Sequence, residues 1–377
     1  MAAKLKALEP GHGVLLGKAA VLGSFNETAR RFDLHKTGPR GRDFTLKMCW
    51  AADRRRALFC GANHAVPHRL NDVWEFDLPS LSWILLYPPD LPRGYVDLGK
   101  DTSDVQFQGG VLVTSRGGPA VIAHSWWGLT YDPQHKALLL MNTWVTKRAA
   151  AVAKLGGDPE KLYLGPPLWA FYPGTGKWKP VLSPKPYPRP IFGGMLEYVP
   201  DLGGAVWHAN NWQMRATWRY DGAKASWSNL QANGDAKAFE REAAQPEQIG
   251  YYDTARKQLI VHRHYDTHHY DVKSNRWTRV LSGNKKDGRT PYGHDARAVF
   301  YGDPVSGHGL LVQFQTNTIW AYDTQKVSWT RLGLKGDPMP TGNKRLAYVD
   351  PAMNVVVVID RTEIWAYRYR SGPTKKE

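Results

Sequence analysis

The chain has 377 residues, 12% of them aromatic, with sixteen Trp and a formal net charge of +16. That length admits two or three ordinary domains or one closed repeat domain. No stretch approaches the roughly 20 apolar residues of a membrane-spanning helix, and Met1-Ala2-Ala3-Lys4 leads into charge, not into the apolar core of a signal peptide. The compartment stays open: periplasmic or secreted if a leader has been removed, cytoplasmic otherwise. A basic surface attracts polyanions. The absence of any nucleic-acid motif argues against DNA or RNA and leaves acidic polysaccharide, an anionic membrane surface, or charge scattered over the surface for solubility.

In chain order, Lys4-Leu5-Lys6-Ala7-Leu8 comes first, and it looks like the ending of a strand further on, Trp178-Lys179-Pro180-Val181-Leu182. Residues 10–45 hold two short apolar runs, Val14-Leu15-Leu16 and Ala20-Val21-Leu22, without a Trp. From residue 46 to 370 one phrase recurs. It reads Trp74-Glu75-Phe76-Asp77 to Trp83, Trp169-Ala170-Phe171-Tyr172 to Trp178, Trp218-Arg219-Tyr220-Asp221 to Trp227, His268-His269-Tyr270-Asp271 to Trp277, and Trp320-Ala321-Tyr322-Asp323 to Trp329. A sixth copy, Trp365-Ala366-Tyr367, lacks its second half.

Each phrase alternates apolar and polar residues, breaks at a short turn, and resumes at a Trp. That is a hairpin of two strands. A second hairpin precedes it, as in Leu129-Thr130-Tyr131-Asp132 followed by Ala137-Leu138-Leu139-Leu140. Each unit therefore has four strands, A to D. Four short strands repeated radially describe a β-propeller blade. The expected fold is all-β: six four-stranded blades in one domain over residues 1–377. Residues 1–9 would supply the missing outer strand and close the ring. Residues 10–45 would be an extension or would hide a seventh blade.

The Tyr-Asp or Phe-Asp of strand C and the Trp of strand D resemble the kelch repeat, over residues 46–370. The Gly-Gly that kelch repeats carry at the end of strand B is missing. That place reads Gly61-Ala62-Asn63-His64, His208-Ala209-Asn210 or His262-Arg263-His264. The resemblance implies a divergent kelch-like propeller.

In such a ring the B–C and D–A connections share the face around the channel mouth. Of thirteen histidines, His64, His68, His124, His208, His262, His264 and His294 fall on that face by this rule. It also collects the long insertions 88–124, 145–167 and 231–248, and long connections on a rigid scaffold form binding surfaces. Aromatic and cationic residues accompany them. Trp and Tyr faces stack on sugar rings, and Arg forks hold carboxylate or sulfate. The expected catalytic groups are His124, His208 and Tyr265 for proton transfer and Arg215 as carboxylate clamp. The expected substrate contacts are His64, Trp144, Tyr187, Arg189, Asn211, Trp212, Tyr292 and His294. His262 and His264, two apart on one strand, would share a side and could begin a divalent-metal site, completed by a third ligand from another blade. In architecture and residue types the set resembles propeller-type polysaccharide lyases, which implies β-elimination on uronate glycans. A sugar epimerase or mutarotase and a non-catalytic kelch-type scaffold are the alternatives. Cys49 and Cys60 would face each other across a hairpin, either bridged or as reduced thiols.

Overall fold

The computed structural model describes residues 1–42, 45–61, 69–93, 98–123, 125–142, 147–166, 168–189, 191, 193–211, 214–234, 247–294, 297–343 and 345–370, with backbone alone at 210, 211 and 214. It is a six-bladed propeller of four-stranded blades. Blade one uses Cys49–Ala51, Arg56–Phe59, Val73–Asp77 and Ser82–Tyr87 as strands A to D. Blade four uses Ile249–Asp253, Gln258–Arg263, Asp266–Asp271 and Arg276–Leu281, and blade five Ala298–Gly302, Gly309–Gln313, Thr318–Asp323 and Ser328–Arg331. The A strands touch one another in ring order and enclose the axis. No helix among the described residues is long and apolar enough to cross a membrane.

The recurring phrase acts through register. In five blades the aromatic residue of strand C lies directly opposite the Trp of strand D: Phe76 and Trp83, Phe171 and Trp178, Tyr220 and Trp227, Tyr270 and Trp277, Tyr322 and Trp329. Ring centroids within these pairs are 4.9 to 5.2 Å apart. A constant spacing along the chain thus becomes a constant cross-strand contact, the unit by which sheets gain stability.

An N-terminal strand closes the ring, but it is not residues 4–8. Ala2–Ala7 is a short helix, and the outer strand of blade six is His12–Lys18, antiparallel to Glu363–Tyr367. The pair Leu5 and Leu8 has helical spacing as well as a place in an alternating pattern, and both side chains are buried. Residues 10–45 hold no seventh blade. After the closing strand, Ala20–Leu22 adds a fifth strand, parallel to Ser82–Tyr87, at the rim of blade one. Two short helices, Glu27–Arg31 and Leu34–Thr37, follow. The edge of blade one is therefore reduced to the three-residue strand Ala20–Leu22, with the helix Leu34–Thr37 packed against it.

The two cysteines are free and buried. The hairpin register sets Cys49 opposite Leu58, so Cys60, just past the end of strand B, lies two residues beyond that position. Burial pushes the Cys49 thiol up to about 12 and raises that of Cys60 as well. Neither thiolate forms near neutral pH, so the native protein is expected to give no reaction with a disulfide reagent and two reactive thiols once unfolded. Rapid labelling of the native protein would contradict the packing.

Candidate functional site

The axis is plugged. Trp127 is fully buried and donates its indole N–H to the Gly250 carbonyl at 2.8 Å. The Lys47 ammonium lies 5.0 Å from its ring centroid and pairs with Glu197, whose carboxyl burial pushes above its ordinary range. The plug separates two concave surfaces.

On the A–B side, a cavity of about 260 Å³ is ringed by Trp50, Tyr131, Tyr198, Tyr251, Tyr252 and Tyr301. The Tyr131 hydroxyl donates to Asp53, Tyr252 to Asp201, and Tyr301 to the carbonyls of Met48 and Ala347. Each of these bonds runs between blades, so the hydroxyls of this funnel hold the ring together.

The mouth on the opposite side holds a compact aromatic and imidazole cluster. Strand B of blade four ends at Arg263, and the next residue, His264, takes a positive φ of 49°. Its backbone exchanges two hydrogen bonds with Gly293, at 2.8 and 2.7 Å, which ties the B–C turn of blade four to the loop leading into blade five. Gly293 is required there: a β-carbon would sit 2.4 Å from the His262 ring. The tie brings His264 and Tyr292 into parallel stacking at 5.4 Å, His294 within 5.8 Å of Tyr292 and 6.4 Å of His264, and Tyr265 within 5.3 Å of Tyr292. The Arg297 guanidinium lies 5.9 Å from the Tyr292 ring centroid.

Both imidazoles are neutral at neutral pH. Burial, then the nearby Arg297 and His264, lowers His294 to about 4. Burial and Arg263 lower His264, against the opposing pull of Asp266. A neutral imidazole keeps one proton-accepting nitrogen. The cluster therefore holds two proton acceptors, two phenols and one exposed cation on one wall.

Beyond Arg297 the surface continues as a cleft of about 360 Å³, lined by Gln315, Asn317, Asn343 and Arg345 among others. A second cleft of about 450 Å³ shares Thr341, Gly342 and Asn343 with it and reaches Arg40, Asp360 and Arg361.

Of the residues expected from sequence, His264, Tyr265, Tyr292 and His294 come together. His64, His68, His124, Trp144 and Trp212 lie outside the described residues, as does the Asn211 side chain. Tyr187 packs instead against Tyr163 at 5.6 Å. Arg189 is exposed in the loop after blade two, and Arg215 is half-buried opposite Asn210 in blade three.

His208 is corrected. It is fully buried, 4.3 Å from the Trp277 ring centroid, with Nδ1 3.1 Å from the Thr217 hydroxyl. A group without solvent access cannot reach a substrate proton, so it leaves the set of candidate acids and bases. His262 is corrected in the same way. It is fully buried, with Nδ1 at the Thr267 hydroxyl and Nε2 at the Pro291 carbonyl, both 3.0 Å. Its two nitrogens are committed, and the strand ends before His264, so the two imidazoles do not share a side. Among the described residues no group of three His, Cys, Asp or Glu is placed to hold a metal.

Sequence reasoning missed Arg297, Gln315, Asn317 and Arg345. The signal was present for Arg297, which lies in the same connection as Tyr292 and His294.

No family model matches the chain, and no curated protein matches it. Among solved structures, it is similar to TolB from Acinetobacter baumannii at 12% identity and a TM-score of 0.41, over 86% of this chain and 58% of that one. The chain spans less than two thirds of the length of that protein.

Proposed function

We propose that this propeller binds an acidic saccharide at the mouth cluster of His264, Tyr265, Tyr292, His294 and Arg297, and cleaves it by β-elimination. The observation that carries the reading is the stacked His264–Tyr292–His294 set, with neutral imidazoles beside the exposed Arg297. Arg297 would neutralise the uronate carboxylate and so acidify the proton on the adjacent carbon. His294 would remove that proton, and Tyr265 would protonate the departing glycosidic oxygen. The kelch-like reading of the repeat is likewise our proposal, and it rests on the five registered C–D aromatic pairs. A non-catalytic scaffold fits less well. The large apolar residues exposed among the described ones, Leu22, Leu91, Leu164, Leu182 and Val305, come from five separate segments.

Incubation with a panel of uronate polymers tests the proposal through the ultraviolet absorbance of the unsaturated product. His294→Ala is expected to lower turnover by roughly 10²–10⁴-fold, the usual contribution of a general base, with little change in melting temperature. If no polymer yields the product, the elimination step is wrong. If His294→Ala lowers turnover and melting temperature together, its role is structural.

A further inference from the structure

Three buried cations among the described residues meet a carboxylate. Arg42 is held by both oxygens of Asp72, Lys47 by Glu197, and Arg93 by Asp104. Arg345 differs. It is 5% exposed, and its guanidinium donates to the Asn317 side-chain oxygen and to the carbonyls of Pro340 and Phe314, all neutral acceptors. Its Nε has no partner among the described residues. Asp360 adds a favourable field but makes no ion pair with it; its Oδ2 instead accepts the Gly342 amide at 2.7 Å. An arginine keeps its charge when buried, and a buried charge without a counter-charge is costly.

Two side-chain amides turn their donor ends to the cleft in front of Arg345. Because Asn317 accepts from Arg345 through Oδ1, its NH₂ is the end left to the cleft. Gln315 repeats the arrangement: its Oε1 accepts from Arg297 at 3.3 Å, leaving its NH₂ uncommitted. Two arginines thus occupy the acceptor ends of two amides that line one cavity. Along the joined clefts the described charges are Arg40, Arg297, Arg345 and Arg361 against the single Asp360.

We propose that this cleft between blades five and six is an oxyanion subsite, taking a carboxylate or sulfate ester on a sugar unit next to the one held by the mouth cluster. That the anion sits on a glycan rests on the saccharide reading above; the anion site itself does not. The consequence is a substrate class: a polymer charged on neighbouring units.

Sodium sulfate, titrated against the full chain at constant ionic strength and followed by calorimetry, tests the site. Saturable binding is expected, with chloride giving none. Asn343→Asp adds a negative charge to the cleft wall and is expected to weaken sulfate binding at least roughly tenfold, the loss typical of a charge-assisted hydrogen bond. Arg345→Met removes the buried charge; because that variant could misfold, Asn343→Asp is the deciding one. No saturable sulfate binding, or binding unchanged in Asn343→Asp, would overturn the subsite. Sulfate binding in a protein that cleaves no polymer would sink the lyase reading alone. With sulfate bound, comparing sulfated with carboxylate-only oligosaccharides then tells which oxyanion the site prefers.

Discussion

A chain lacking residues 1–18 is expected not to form a stable ring. The closing strand His12–Lys18 is the outer strand of blade six, and without it Glu363–Tyr367 becomes an unpaired edge. The deletion also removes the buried side chains of Leu5, Leu8 and Leu16. At about 1.5–3 kcal/mol for each buried leucine, these three together are worth about as much as the lower part of the about 5–15 kcal/mol that holds a typical domain together. Gly13 offers a sharper test. A β-carbon there would lie 2.1 Å from the Trp365 ring, which is itself fully buried. Gly13→Val must displace either the closing strand or the indole, and should cost several kcal/mol by the mechanism that makes overpacking harmful. Truncation after residue 370 removes none of these contacts and is the control. Denaturant unfolding followed by tryptophan fluorescence checks the set. A cooperative transition at the full-length midpoint in the chain lacking residues 1–18 would show that the ring does not depend on this strand.

The parts of the fold that were legible in the sequence are those where one residue type has one job. A Trp fixed seven positions after a Tyr or Phe has to meet it across a hairpin, and the pairs Phe76–Trp83 and Tyr322–Trp329 do so. The closing strand was harder to place because Lys4–Leu8 satisfies two periodicities at once. The Cys49–Cys60 pairing failed by two residues, since a tight turn with Arg55 at positive φ sets the register and the sequence does not display it. The histidines show the same ambiguity more sharply. The end of strand B borders both the mouth and the next blade. His262, on the strand, points into the blade interface, whereas His264, just past it, belongs to the mouth. One change of backbone conformation separates packing from candidate chemistry. Arg345 was invisible for a different reason: its proposed role lies in the carboxylate it does not meet among the described residues, and a missing counter-charge cannot be read along a chain.

Those interface histidines predict an acid-sensitive ring. Blades three and four each carry the same buried relay. The Trp277 indole donates to the Thr217 hydroxyl, which faces His208, and the Trp329 indole donates to the Thr267 hydroxyl, which faces His262. Each Trp comes from the following blade, so the relay joins neighbours. Burial lowers His208 to about 3 and His262 to about 4, from 6.5. The sign follows from linkage: the unfolded chain binds these protons near pH 6.5 and the folded one does not, so acid favours unfolding. Their contribution is complete above about pH 6.5. It is lost as pH falls from there toward 4 for His262 and toward 3 for His208, by up to about 1.4 kcal/mol per pH unit for each. The chain itself supplies a neutral replacement. In blade five the cross-strand partner of Thr318 is Gln313, whose Oε1 accepts from the Thr318 hydroxyl at 3.3 Å. The double variant His208→Gln, His262→Gln should therefore keep the ring folded at neutral pH and hold its melting temperature better than the native chain between pH 6 and 4. Parallel melting-temperature profiles for the two proteins across that window would mean that other groups govern the acid response.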